Sequence, residues 1–171
     1  AASLDEAILL EPIPYGWPES GLGVLPEIFQ AFVDGILSSL AEDGWQKVFV
    51  MAAQADTLPG FSAPTLRGKR NGNPTLQLLH GEQVILIPVG HTEQHAYHLP
   101  FDTDTRIIEA IARGTHAGLP DATALLPVLP YGVSAHRSSY FGTLNAGGRA
   151  YEDFLIALVG SLVAQGHDRF F

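Results

Sequence analysis

Imidazole and carboxylate side chains crowd into one short stretch of this sequence, VGHTEQHAYHLPFDTDT at residues 89–105. Glu93 and His95 are two positions apart, so in extended backbone their side chains point to the same side. Asp104, at the mouth of the next predicted helix, could fold back to join them. Oxygen and nitrogen ligands without sulfur suit Zn²⁺, Mn²⁺ or a pair of such ions. Such a pair lowers the pKa of a bound water and polarises a carbonyl, so this stretch predicts a metal site with hydrolytic chemistry.

Other interpretations of these residues stay open. A histidine in a loop is commonly a hydrogen-bonded polar residue without a metal. His136, in the loop YGVSAHRSS, either lines the same pocket or is solvated. Asp102 either accepts a hydrogen bond from a ligand histidine or is exposed. The triplet DTD at 102–104 also matches the Asp-x-Asp pattern of nucleotide-sugar transferases, although nothing else in the sequence supports that function.

The composition indicates a globular protein of about one domain. The chain has 171 residues, of which 46% are hydrophobic and 16% charged, so it has enough apolar surface to form a core. Its net charge of −9 disfavours nucleic acid and anionic membranes as partners. No cysteine is present, which excludes thiolate metal sites and cysteine nucleophiles. The first residues do not resemble a signal peptide, and the longest apolar run is about half the length of a membrane span. We therefore expect a soluble, cytoplasmic protein.

The predicted elements place the cluster at the end of a strand. Residues 82–90, EQVILIPVG, form an apolar run that is typical of a buried parallel strand. Residues 103–118, TDTRIIEAIARGTHAG, then predict a helix. Thr103 or Asp104 could cap the start of this helix, and Gly114 or Gly118 could end it. Open α/β sheets bind their ligands beyond the carboxyl ends of their strands, so this order predicts an α/β domain with a mostly parallel sheet.

Two segments of the chain resemble each other. LLEPIPYGW at 9–17 resembles LLPVLPYGV at 125–133, and FVDGILSSLAEDGWQKVF at 32–49 resembles FLIALVGSLVAQGHDRFF at 154–171. The first pair is offset by 116 residues and the second by 122, so the second copy holds six additional residues. The second copy also contains the segment YFGTLNAG, which the first copy lacks. Each copy predicts a short strand ending in Pro-Tyr-Gly, an amphipathic helix and a further strand.

The repeat suggests how the chain is divided. Residues 1–57 are predicted to be a partial αβ unit and 58–75, rich in Pro, Gly, Asn and basic residues, a linker or loop. Residues 76–171 are predicted to be a second unit. A glycine should end the helix of each copy, Gly44 in the first and Gly166 in the second.

The quoted stretches carry a resemblance to a known family. LIPVGHTEQHAYHLPFDTDT resembles the opening signature of the creatininase family, the creatinine amidohydrolases, and LPYGVSAHRSSYFGTLNAG resembles its Pro-Tyr-Gly and Pro-Gly-Thr-Leu-Ser segments. The match covers about residues 76–171, and residues 9–57 resemble a later part of the family more faintly. The resemblance implies a three-layer α/β fold, oligomers and a two-metal site with zinc or manganese. It also implies hydrolysis of a C–N bond in a small amide, cyclic amide or formamide rather than in a peptide.

The resemblance also implies residue roles. Glu93 would bind one metal, His95 the other, and Asp104 would bridge both. His98 matches the second histidine of the motif and would line the site. With His136 it is our candidate for a catalytic group.

Three departures from the family pattern favour an alternative. Ala96 and Tyr97 stand where the family has Gly-Pro, and Gln54 stands in the first copy where the family has a ligand histidine. The chain also stops at Phe171, at the start of a predicted strand, so we expect 76–171 to be an incomplete unit. The family's remaining metal ligands would follow that strand. Either another chain supplies them, as a second copy in a homo-oligomer or as a complementing subunit, or the protein is a non-catalytic structural or regulatory subunit.

Overall fold

The part of the chain that can be described is an α/β structure with three α-helices and a small parallel sheet. The computed structural model describes residues 9–16, 22–45, 48 and 83–171. The helices are α1 (Pro26–Glu42), α2 (Thr103–Gly118) and α3 (Gly148–Ala164), and the strands are β1 (Val84–Leu86) and β2 (Thr123–Leu125). A short 3-10 helix covers Ala135–Arg137. The α/β class is confirmed, whereas the three-layer arrangement stays a prediction. The predicted linker 58–75 lies outside the described residues, and of the strand predicted after the first helix, at 47–53, only Val48 is described.

Strand β1 lies between two parallel neighbours. It pairs with β2 in the register Val84↔Thr123. On its other side the Ile85 amide donates to the Arg169 carbonyl at 2.9 Å, and Ile85 forms a parallel bridge with Phe170. Ile85 is fully buried. The predicted buried central strand is therefore confirmed.

Strand β1 is shorter than the predicted run because Pro88 has no amide hydrogen to continue the ladder. Pairing resumes one residue later, where Val89 bridges Leu129 and the Gly90 amide donates to the Leu129 carbonyl at 2.8 Å. The backbone is thereby held in line until it reaches the histidine-rich stretch.

Helices α1 and α3 pack against each other through aromatic rings. Phe32 and Phe154 are fully buried, and their ring centroids are 4.4 Å apart with 18° between the planes. Gly35 of α1 lies against the backbone carbonyl of Ala146, and a Cβ at this position would collide with that oxygen. Glycine is thus needed here because two backbones approach closely.

The two resembling segments end their helices in the same way. Gly44 after α1 and Gly166 after α3 have φ of 88° and 95°, in the left-handed region that glycine adopts without steric cost. In both places the amides of the glycine and of the next residue donate to carbonyls of the last helical turn, as in a Schellman motif. After α1 the Gly44 amide donates to Ala41 and the Trp45 amide to Leu40. After α3 the Gly166 amide donates to Val163 and the His167 amide to Leu162. Both predicted helix stops are confirmed, whereas the division into units stays a prediction.

Helix α2 has the predicted bounds, but the predicted cap is wrong. Asp102 is the residue before the first turn, and its Oδ2 accepts from Arg106 Nε at 2.8 Å instead of capping an amide. Thr103 Oγ1 donates to the Pro100 carbonyl at 2.6 Å. Asp104 cannot cap because it already lies inside the helix and turns towards the preceding loop. No helix among the described residues is long and apolar enough to cross a membrane.

Candidate metal centre

The loop that follows β1 is fixed by backbone contacts on both sides. The Leu144 amide donates to the Thr92 carbonyl at 3.0 Å, and the Gln94 amide donates to Thr143 Oγ1 at 3.1 Å. Thr143 and Leu144 belong to YFGTLNAG, the segment that the first copy lacks. This segment therefore has a structural role, since it holds the loop that carries the predicted ligands.

The first turn of α2 lies directly against this loop. Thr105 Oγ1 donates to the His91 carbonyl at 3.1 Å, and Gly90 lies so close that a Cβ built on it would be 2.6 Å from Thr105 Cα. The absence of a side chain at Gly90 thus permits the approach, which carries Asp104 to the loop.

Three predicted ligands meet at this junction. One ligand atom from each of Glu93, His95 and Asp104 lies within 4.8 Å of the others. His95 Nε2 is 3.2 Å from Asp104 Oδ1 and 3.6 Å from Glu93 Oε1. Glu93 is buried and the other two are partly buried. The structure therefore brings together the three side chains that the sequence nominated.

The histidine of this group directs Nε2 towards the two carboxylates. His95 Nδ1 lies 3.0 Å from the Glu93 backbone carbonyl. A carbonyl only accepts, so Nδ1 carries a proton, and Nε2 is the nitrogen whose lone pair can bind a cation. This bond from the remote nitrogen is the arrangement that orients metal-binding imidazoles. Two oxygens and one nitrogen then converge, and this ligand set fits a divalent cation such as zinc or manganese.

Two further residues contact Glu93, and the sequence interpretation assigned no role to either. His91 is buried, its Nδ1 accepts from the Gly132 amide at 3.0 Å, and its Nε2 is 3.7 Å from Glu93 Oε2. Arg137 Nε is 3.5 Å from Glu93 Oε1, and its Nη1 donates to the Gln94 carbonyl at 3.0 Å. Burial lowers the pKa of His91, against the opposing effect of the nearby carboxylates. His91 was visible in the cluster, but no local pattern links it to Gly132.

The two candidate catalytic histidines lie outside the group of three. His98 is exposed in the turn after His95, and no polar contact joins it to the described residues. His136 is exposed on the 3-10 helix, close enough to His91 that its charge lowers the pKa of that histidine. Their catalytic assignment stays a prediction. Asp102 pairs with Arg106 rather than with a ligand histidine, and Gln54 lies outside the described residues.

The departure at Ala96 has a stability consequence. Ala96 has a φ of 61°, the left-handed region that costs an L-residue about 1–2 kcal/mol. Gly at this position should therefore stabilise the fold by roughly 0.5–1 kcal/mol, because part of the relief is offset by glycine's greater entropy when unfolded. Urea denaturation of Ala96→Gly measures this.

Ala110→Gly on the exposed side of α2 is the matched control for Ala96→Gly. It should destabilise by about 1 kcal/mol, since Ala110 is in an ordinary helical position. Equal destabilisation by both variants would contradict strain at Ala96.

The comparisons with known proteins agree with this geometry. Residues 74–171 match the profile of the creatininase family, described as creatinine amidohydrolase. Three mycofactocin precursor peptide peptidases are similar over part of the chain. The one from Mycobacterium ulcerans is 42% identical over 79 residues, 42% of this chain and 32% of the relative. The one from Mycolicibacterium smegmatis is 43% identical over 91 residues, 50% of this chain and 36% of the relative. The one from Mycobacterium tuberculosis is 35% identical over 97 residues, 52% of this chain and 39% of the relative.

These matches define how far the relationship extends. The aligned part of the chain spans 32% to 39% of the length of these relatives. No solved structure matches the chain. The family profile covers more than half of the 171 residues and includes all three residues of the candidate metal centre. The chain belongs to the creatininase family.

Proposed function

We propose that this chain carries the metal centre of a hydrolase that cleaves an amide C–N bond with water. The observation that carries the proposal is the convergence of Glu93, His95 and Asp104, with His95 Nε2 facing both carboxylates. Membership of the creatininase family and the peptidase names of the relatives support a hydrolase.

The proposed ligands follow from the donor set. Glu93 and His95 would each hold a cation, and Asp104 would bridge two of them, with zinc or manganese as the candidate metals. When bound, such a cation supplies a water of lowered pKa and a Lewis acid for the carbonyl. The desolvation cost of burying the Glu93 carboxylate would be offset by the cation together with Arg137, whose Nε is 3.5 Å away.

The two exposed histidines are proposed to serve the substrate side of the centre. His136 lies beside His91 and would transfer a proton to or from the substrate. His98 would line the entrance, where its ring is accessible. Neither is proposed as a ligand, because neither belongs to the group of ligand atoms that meet within 4.8 Å among the described residues.

The class of amide is the finer part of the proposal. The family resemblance implies a small amide, cyclic amide or formamide, and we propose these as the first class to test. A peptide bond is the second class, and one observation favours it, because the similar proteins are named peptide peptidases.

Residues beyond the described part, or a partner chain, are proposed to complete the centre. Three protein ligands suffice for a single catalytic zinc, whereas two metals need more donors. We propose that these come from residues beyond the described part or from a partner chain in an oligomer.

Elemental analysis of the native protein, purified without added metal, tests the proposal. Near-stoichiometric zinc or manganese is the expected result, followed by metal-dependent hydrolysis in a panel of creatinine, a formamide and a short peptide. Which member is hydrolysed then decides between the two substrate classes. Metal well below one per several chains, unchanged after incubation with zinc or manganese, would overturn it.

Such a result would favour the second candidate, a non-catalytic subunit. One observation favours this second candidate. Ala96, whose φ is 61°, replaces the family's glycine beside the candidate ligands.

A further inference from the structure

We propose that His91 is a positioning residue of this centre, which donates from Nε2 to Oε2 of Glu93 and does not bind the cation itself. The inference rests on the proposed metal-binding function. It adds a role for a histidine that lies among the ligands in sequence and could be mistaken for one.

The tautomer of His91 follows from its contact with Gly132. The Gly132 amide lies 3.0 Å from His91 Nδ1 in a buried position. A backbone N–H only donates, so Nδ1 must accept, and the single proton of the neutral ring lies on Nε2. A protonated nitrogen has no lone pair for a metal. His91 and His95 are therefore expected to be opposite tautomers, with only His95 able to bind a cation through Nε2.

The free donor of His91 faces one oxygen of Glu93. His91 is 8% exposed, and its Nε2 is buried without a hydrogen-bond partner. The nearest acidic oxygen is Glu93 Oε2 at 3.7 Å, a separation that a small rotation of the carboxylate closes. A donor that is buried without a partner is costly, so this closure is favourable. It would hold Oε2 and leave Oε1, the oxygen that faces His95, for the cation.

The side chain and the backbone of His91 have separable roles. Its carbonyl accepts from Thr105 Oγ1 at 3.1 Å, which ties the loop to α2. That contact survives substitution of the side chain. A change in metal binding on substitution therefore reports on the imidazole rather than on the docking of the helix.

Long-range ¹H–¹⁵N correlation spectra of the full chain test the tautomers directly. Without zinc, the His91 signals, identified by their loss in His91→Gln, should show the proton on Nε2. Addition of zinc should shift Nε2 of His95 to a metal-bound value and leave the Nε2–H tautomer of His91 unchanged. A proton on Nδ1 of His91, or a metal-bound shift of its Nε2, overturns the proposal.

Zinc affinity, measured by competition with a chelator, tests the positioning role. His91→Leu should weaken zinc binding by about 10–100-fold, the usual effect of losing a partner of a metal ligand. His91→Gln, whose amide can donate at a similar place, should stay within about threefold of the wild-type affinity. His116→Leu is the control, because His116 bonds Thr123 at the far end of α2 and its loss should not change the affinity. Unchanged circular dichroism shows that each variant is folded.

The outcomes separate this inference from the proposed function. If His91→Leu binds zinc as tightly as the wild type, or if the Leu and Gln variants lose equal zinc affinity, the positioning role is overturned. The proposed metal centre is unaffected by either result. Failure of the wild-type protein to bind either zinc or manganese overturns both.

Discussion

Asp104→Ala should weaken binding of zinc or manganese by at least about 100-fold, because loss of an outer partner of a metal ligand alone costs about 10–100-fold. Asp104 Oδ1 is 3.2 Å from His95 Nε2 and supplies one of the three converging ligand atoms. Its side chain is 39% exposed, so the fold should be little affected. Titration calorimetry on metal-free protein measures the affinity, and thermal denaturation measures the stability.

Asp102→Ala is the matched control for this variant. It removes the same charge two residues earlier, just before the same helix, where the carboxylate pairs with Arg106 instead of with His95. Its metal affinity should stay close to that of the wild type. Equal losses in the two variants would mean that the affinity depends on the charge of the helix end, and Asp104 would not be a ligand.

Gly90→Ala should lower both stability and metal affinity. The added Cβ would be 2.6 Å from Thr105 Cα, which is backbone and cannot rotate away. Overpacking of this kind costs about 1–3 kcal/mol. The strain is relieved only if α2 moves away from the loop, which also withdraws Asp104 from His95. We therefore expect a lower melting temperature and weaker zinc binding in the same variant, measured by calorimetry.

Gly114→Ala provides the comparison within the same helix. A Cβ at Gly114 of α2 would have no heavy atom within 4 Å, so the change should stabilise the protein by roughly 1 kcal/mol through helix propensity. Its zinc affinity should be unchanged. Wild-type affinity in a destabilised Gly90→Ala would show that the position of α2 does not control the ligand geometry.

The two experiments examine different causes of metal binding. Asp104→Ala removes a ligand from an intact frame, whereas Gly90→Ala keeps all ligands and disturbs the frame. Loss of affinity in both, with loss of stability only in the second, is the pattern that the geometry predicts.

The sequence alone determined the features that depend on local chemistry. The bounds of α2 follow from its helical pattern, and the stops at Gly44 and Gly166 follow from glycine's access to the left-handed region. The candidate ligands Glu93 and His95 are two positions apart on one extended stretch, so their spacing alone predicted that the two side chains point to the same side. The predicted cap of α2, Thr103 or Asp104, was wrong because tertiary contacts engage both side chains elsewhere: Thr103 donates to the Pro100 carbonyl and Asp104 lies against His95.

Only the tertiary structure decided what lies around Glu93. Arg137 contacts its carboxylate from the 3-10 helix far along the chain, and the Gly132 amide donates to His91 Nδ1 from the loop before that helix. Such contacts depend on how separate loops fold over the end of the sheet, and no periodicity or local motif specifies them. The sequence therefore nominated the candidate ligands, and the fold determined which neighbouring groups lie around them.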